Sequence, residues 1–231
     1  MQIFSRKNCL LCGVSTHQDF CNACYHKLPL LPDHHCSICL RPVTTPHLCG
    51  ACIANPPKFT RTIAALRYTF PVDALIHALK YQANLAIAPI LANLLCQHIN
   101  PSQLPDLIIP MPLHPKRLKE RGFNQALELS RYIADQYNIP LLFDDCRRIK
   151  HTAPQTGLPW KSRQKNIRNA FACNIELSGR HIAVVDDVMT TGATLNELAK
   201  VLHKKGATEI SNWVVSRALA DHNLVQSPIP F

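Results

Sequence analysis

Residues 182–194, IAVVDDVMTTGAT, constrain the fold more than any other part of the chain. The run opens with Ile182-Ala183-Val184-Val185, apolar and largely β-branched, which suits a strand buried on both faces of a parallel sheet. Two carboxylates, Asp186 and Asp187, follow where that strand is expected to end. Thr190-Thr191-Gly192-Ala193-Thr194 then makes a small-residue turn, and Leu195, Leu198, Ala199 and Leu202 repeat at helical spacing. Thr194 and Glu197 have capping-box spacing, and Gly206 is placed to end the helix.

A strand, a small-residue turn and a helix start together form an anion cradle. Backbone N–H groups at a helix N-terminus carry partial positive charge and point outward. Thr190, Thr191 and Thr194 add hydroxyl donors, Gly192 and Ala193 keep the backbone accessible, and glycine permits close approach of a phosphate. Adjacent carboxylates repel phosphate; they suit hydroxyls, such as those of a ribose, or a cation. Phosphate beside diol describes a ribose 5-phosphate. An acidic turn capping an ordinary α/β helix explains Asp186 and Asp187 alone, but not the whole run.

Four Cys-x-x-Cys pairs mark the front of the chain: Cys9/Cys12, Cys21/Cys24, Cys36/Cys39 and Cys49/Cys52. Each pair places two thiolates on one tight knuckle, and a second knuckle closes a tetrahedral site. The pairs read as two tandem sites, with an interleaved pairing left open by spacing alone. A disulfide framework is disfavoured because residues 1–8 lack the apolar stretch of a secretory signal and the cytosol is reducing. A redox role is disfavoured because four copies sit in a segment with no βαβ pattern. Structural zinc remains, two ions in all, and in a module this small the metal supplies the folding energy. Cys96, Cys146 and Cys173 are isolated and read as buried apolar fillers.

The chain divides at Asn55-Pro56-Pro57 into a cysteine-rich segment, 1–56, and a body, 57–231. The formal charge is +10; eight thiolates on two zinc ions would lower it by four, to about +6. A basic balance suits polyphosphate and nucleic acid alike. The longest apolar stretch, 85–96, is interrupted by Pro89 and falls short of the ~20 residues a membrane span needs. A cytoplasmic protein with no membrane contact is therefore expected.

Within the body, Arg61 to Tyr68 alternates as a strand, and Val72, Leu75, Ile76 and Leu79 have helical spacing with Lys80-Tyr81 as the end. Residues 85–99 read as a second helix. Leu107-Ile108-Ile109 is a short strand stopped by prolines, and residues 114–122 follow as a basic loop carrying Lys116, Arg117, Lys119 and Arg121. Phe123, Ala126, Leu127, Ser130, Ala134 and Tyr137 give a helical stripe. Residues 147–168 are polar, basic and broken by Pro154, Gly157 and Pro159; residues 207–216 read as the last strand.

The 182–194 run resembles the phosphoribosyl diphosphate (PRPP) signature of type I phosphoribosyltransferases. Taken with residues 112–126, PLHPKRLKERGFNQA, and the cysteine-rich front, the chain resembles the ComF family of competence proteins, GntX relatives included. That resemblance implies a type I phosphoribosyltransferase-like α/β fold, a parallel sheet with flanking helices, behind an N-terminal double zinc ribbon. It implies that Thr190, Thr191, Gly192, Ala193 and Thr194 hold a 5-phosphate, that Asp186 and Asp187 hold ribose hydroxyls, and that Arg117 and Arg121 hold the diphosphate with Mg²⁺. Residues 147–168 would be a hood closing over it. The family is associated with uptake of single-stranded DNA in natural transformation. Three functions follow: a phosphoribosyltransferase, although no residue stands out as a general base; a single-stranded DNA-binding module; and an adaptor whose ribbons dock a partner such as a competence helicase.

Overall fold

The computed structural model describes residues 7–45, 48–150 and 167–219. Its centre is a four-stranded, all-parallel sheet. The strands are β3 (Arg61–Arg67), β4 (Leu107–Pro110), β7 (His181–Met189) and β8 (Glu209–Arg217), in the order β3-β8-β7-β4. Along β4, β7 and β8 successive buried apolar residues enter opposite cores, as a pleat requires. Ile108, Ala183, Val185, Trp213 and Val215 face one side, where α3 (Val72–Tyr81), α4 (Ile87–Cys96) and α6 (Gln125–Tyr137) cover them. Ile109, Ile182, Val184, Ile210 and Val214 face the other, under α7 (Ala193–Lys204) and the antiparallel pair β5 (Cys146–Arg148) and β6 (Phe171–Cys173). Both faces are covered, which is why the strands carry continuous apolar runs.

The cysteine-rich front is built from β1 (Lys7–Asn8), β2 (Ser15–Thr16), α1 (Asn22–Tyr25) and α2 (Gly50–Ala54). It straddles the β3 edge of the sheet. Leu30 forms a bridge to Leu66, and the Arg67 N–H donates to the Pro29 carbonyl at 2.8 Å. Phe20 and Leu28 enter the α3/α4 core, whereas Cys36, Cys39, Leu40 and Cys52 enter the α7 core. The linker is fastened too: Lys58 N–H donates to Asn196 Oδ1 at 2.6 Å, and His203 Nε2 lies 2.8 Å from the Lys58 carbonyl.

Several local expectations are revised. Strand β7 runs on through both acids to Met189, because Asp186 still pairs with Val214 and Val188 with Ser216 on β8. The basic loop is a helix, α5 (Pro115–Arg121): Pro115 stands at its start and His114 Nδ1 accepts from the Lys116 N–H at 3.2 Å. On α6 the buried stripe includes Leu129 and Ile133, which the expected face omitted, while Leu127 is only partly buried. The capping box does not form. Gly192 caps α7, and Glu197 instead accepts from the Asn169 N–H at 2.8 Å. Cys146 and Cys173 are not isolated fillers: they are direct cross-strand partners and form a disulfide. Residues 151–166 of the expected hood, with Gln155, Thr156, Gly157 and Trp160, lie outside the described residues.

Candidate functional site

The metal sites follow from the knuckles. Cys9, Cys12, Cys21 and Cys24 bring their sulfurs within 4.8 Å of one another, and so do Cys36, Cys39, Cys49 and Cys52. A tetrahedral Zn–S distance of about 2.3 Å puts ligand sulfurs about 3.8 Å apart. Cys12 Sγ and Cys21 Sγ are 3.7 Å apart, and Cys39 Sγ and Cys49 Sγ 3.5 Å. Backbone N–H groups bring the Cys9 thiol down to about 6, and outweigh burial at Cys36 to leave it at about 7. Hydrogen bonding to Cys12 and Cys21 pushes Cys24 up to about 12, and burial with Cys39 raises Cys52. Four thiolates in so small a volume repel one another, and a dication resolves the conflict. Both Cys₄ sites, paired in tandem, fit structural zinc.

The second feature is a cavity of about 350 Å³ at the C-terminal ends of β4 and β7. Asp186 and Asp187, near the C-terminal end of the long strand, meet Thr190, Gly192, Ala193 and Thr194 there. Thr191 is absent from the lining; its hydroxyl accepts from the Ala193 N–H at 3.3 Å within the turn. Gly192 has φ +77, and an added Cβ would lie 2.7 Å from Met189 Cε and 3.6 Å from Phe59 Cζ. Gly192→Ala is therefore expected to cost about 1–2 kcal/mol for the left-handed backbone alone. That is a fall in melting temperature of roughly 2–8 °C for a chain this size, with zinc content unchanged. An unshifted melt would show that the turn relaxes freely.

Helix α5 explains which cations reach the cavity. Arg117 and Arg121 lie one turn apart and both line it, whereas Lys116 and Lys119 are exposed elsewhere. Arg121 stacks over the Tyr81 ring at 5.4 Å and donates to Gln125 Oε1 at 2.5 Å. Arg148, on β5, is a third guanidinium in the lining, 5.8 Å over the Phe171 ring. Burial lowers its affinity for a proton, and the Asp186 charge opposes that shift.

Lys80 was legible only as a helix end. Its ammonium forms an ion pair with Asp187, which is 3% exposed, and the Gln125 amide donates to the other Asp187 oxygen at 3.5 Å. Burial pushes the Asp186 carboxyl well above the usual carboxylate range, and the Asp187 charge beside it adds to this. Burial acts the same way on Asp187, but the Lys80 ammonium overrides it and holds Asp187 below that range. On Lys80 burial opposes the charge, and Asp187 outweighs it, leaving Lys80 raised. The acid pair thus holds its anion on Asp187, already matched by a lysine, while Asp186 takes up a proton more readily. With Arg117, Arg121, Arg148 and Lys80 around it, the cavity has an excess of positive charge and suits a polyphosphate.

Among the described residues, no helix is long and apolar enough to cross a membrane. Residues 2–53 match the double zinc ribbon domain family, and residues 119–227 match the phosphoribosyl transferase domain family. The chain is 34% identical over 232 residues to competence protein F of Haemophilus influenzae, covering 94% of this chain and 100% of that protein. It is 34% identical over 225 residues to DNA utilization protein YhgH of Salmonella typhimurium, covering 91% of this chain and 97% of the relative. Competence protein ComFC of Bacillus subtilis is 25% identical over 239 residues, with 91% and 95% covered. A zinc-ribbon front, a type I phosphoribosyltransferase-like body and this end-to-end likeness together establish that the chain belongs to the ComF family.

Proposed function

We propose that the cavity binds the 5-phosphoribosyl group of PRPP, or of another ribose 5-phosphate, and that the protein uses it on single-stranded DNA during natural transformation in the cytoplasm. One observation carries the first half. The acid pair and Thr/Gly turn of the 182–194 run, Arg117 and Arg121 of α5, and Arg148 of β5 line one cavity. In this reading the 190–194 turn and the start of α7 take the 5-phosphate. Asp186 takes a ribose hydroxyl, Asp187 is held in place by Lys80, and Arg117, Arg121 and Arg148 grip the diphosphate as bidentate donors. Asp186, which no lysine matches, would have to give up its proton to serve as a protein ligand for Mg²⁺ beside the diphosphate, since such ions use one or two carboxylates plus phosphate oxygens. That ion, when bound, would neutralise part of the diphosphate charge. If diphosphate departs, the ribose develops positive charge, which the Asp187 carboxylate in the cavity wall would help to stabilise.

The DNA half is supported by the basic chain and by relatives named for competence and DNA utilization. Isothermal calorimetry with PRPP and Mg²⁺, followed by a diphosphate-release assay with single-stranded DNA and free bases as acceptors, tests both halves. Asp186→Asn is expected to weaken PRPP binding about tenfold, equivalent to about 1.4 kcal/mol, with both zinc ions retained. An absence of binding heat in the zinc-loaded wild-type protein refutes the ribose-phosphate reading.

A further inference from the structure

Arg217 ends β8 and is 3% exposed. A buried guanidinium has five N–H donors to place, and its rigid fork dictates where acceptors must lie. Here Nε donates to the Cys39 carbonyl at 2.8 Å. Nη1 donates to the Met189 carbonyl at 3.0 Å and also to the carbonyls of Thr190 and Ala218. One side chain therefore holds the backbone of a zinc knuckle and the backbone entering the 190–194 turn. The same two places also touch through apolar packing. Cys36, Cys39, Leu40 and Cys52 share a core with Phe59 and Met189, and those two side chains are the nearest neighbours of Gly192 beneath the turn.

We propose that Arg217 is a positioning residue that couples the second zinc site, Cys36/Cys39/Cys49/Cys52, to the geometry of the phosphate-binding turn. A dication held by four thiolates leaves a net negative centre, and the guanidinium beside it offsets that charge. Loss of the metal lets the knuckle reopen and removes the Cys39 carbonyl from its place. The fork then loses one of its anchors, and the carbonyls of Met189 and Thr190 lose a fixed donor. Among the described residues the first site, Cys9/Cys12/Cys21/Cys24, shows no such link: its neighbours Phe20 and Leu28 belong to the core on the opposite face of the sheet. The coupling is thus specific to one of two chemically identical sites. It rests on the ribose-phosphate reading only for its effect on ligand binding.

The test is amide hydrogen exchange on the full-length, zinc-loaded chain, comparing residues 190–195 with residues 182–185 of β7. Cys49→Ser empties the second site, Cys12→Ser the first, and Arg217→Lys keeps the charge while removing the fork. Exchange in 190–195 is expected to rise about tenfold in Cys49→Ser and Arg217→Lys, the size of a typical coupling between two sites. In Cys12→Ser it should stay within about twofold of wild type, as for independent sites. Arg217→Lys should keep both zinc ions and leave 182–185 protected, a pattern that a merely structural role would not produce. The proposal falls if the turn is unchanged in Arg217→Lys, if β7 loosens equally, or if the two cysteine variants behave alike. PRPP titration of the same samples separates the two ideas. Coupled exchange without any PRPP binding leaves the coupling standing and removes the ribose-phosphate reading.

Discussion

Stripping the zinc with a chelator is expected to unfold residues 7–54 while the parallel sheet persists. The front cannot hold itself together by other means. Its helices are four and five residues long and its strands two residues each. Helices so short are unstable in water, and a segment of this size buries too little apolar surface to fold alone. Beyond the cysteines, its buried apolar side chains among the described residues are Phe20, Leu28 and Leu40. Structural zinc contributes about 10–16 kcal/mol of apparent binding energy at pH 7 in small zinc-binding peptides, which makes its removal the largest perturbation available here. Limited proteolysis before and after chelation should show new cleavage confined to the front, with a resistant body. A front that stays resistant after both zinc ions are counted out by metal analysis would mean that docking on the β3 edge suffices.

The same reasoning sets a pH dependence. Zinc needs thiolates, so protons compete with it and retention must weaken as pH falls. Cys9 at about 6 and Cys36 at about 7 yield to protons last, whereas Cys24, raised to about 12 by its hydrogen bonds to neighbouring thiols, depends on the metal for its charge. Zinc release followed by a chromogenic chelator is expected to steepen below pH 6.

How much of this was legible in the residues depends on whether the signal was local. The 182–194 run declares a strand, acids, a turn and a helix within thirteen positions, and the tandem knuckles declare two metal sites, because each motif is made by neighbours in sequence. Arg117 and Arg121 were singled out from a basic run, but only helix α5 explains why those two and not Lys116 or Lys119 share the cavity. Pro115 after His114 was the overlooked sign of a helix start. Arg217 lies just past residues 207–216, the stretch that reads as the last strand. An arginine closing a strand whose residues Ile210 to Ser216 are all buried could have flagged a buried charge in need of acceptors. The Cys146–Cys173 bond was beyond local pattern, since the two strands pair across 27 positions. The division at residue 56 describes composition, while the packing runs across it through Phe59, Cys39 and Met189.

Lys80→Met is expected to destabilise the body by about 3–5 kcal/mol, the cost of leaving one buried charge without its partner. Val72, Ile76 and Lys80 follow one another at four-residue spacing, so the lysine continues the buried face of α3 and its ammonium is delivered into the core beside β7. Removing it strands the Asp187 carboxylate, which is 3% exposed and adjacent to Asp186. Adding Asp187→Asn should recover most of the loss, because a neutral amide beside methionine carries no uncompensated charge, and the coupling in that double-mutant cycle measures the pair. The pH profile distinguishes this from lost packing. In the wild type Lys80 is raised, so its contribution is complete below its unfolded value near 10.4 and is lost as pH climbs through the folded one. Asp187 is lowered, so its contribution is complete above about 3.9 and is lost as pH falls through the folded value. Stability from the pair is therefore flat across neutral pH. In Lys80→Met the stranded carboxylate binds a proton more readily in the native state than in the unfolded chain, so the deficit should shrink between pH 7 and pH 5. Urea unfolding at the two pH values decides the matter: a deficit of equal size at both, or no rescue by Asp187→Asn, would assign Lys80 to packing alone.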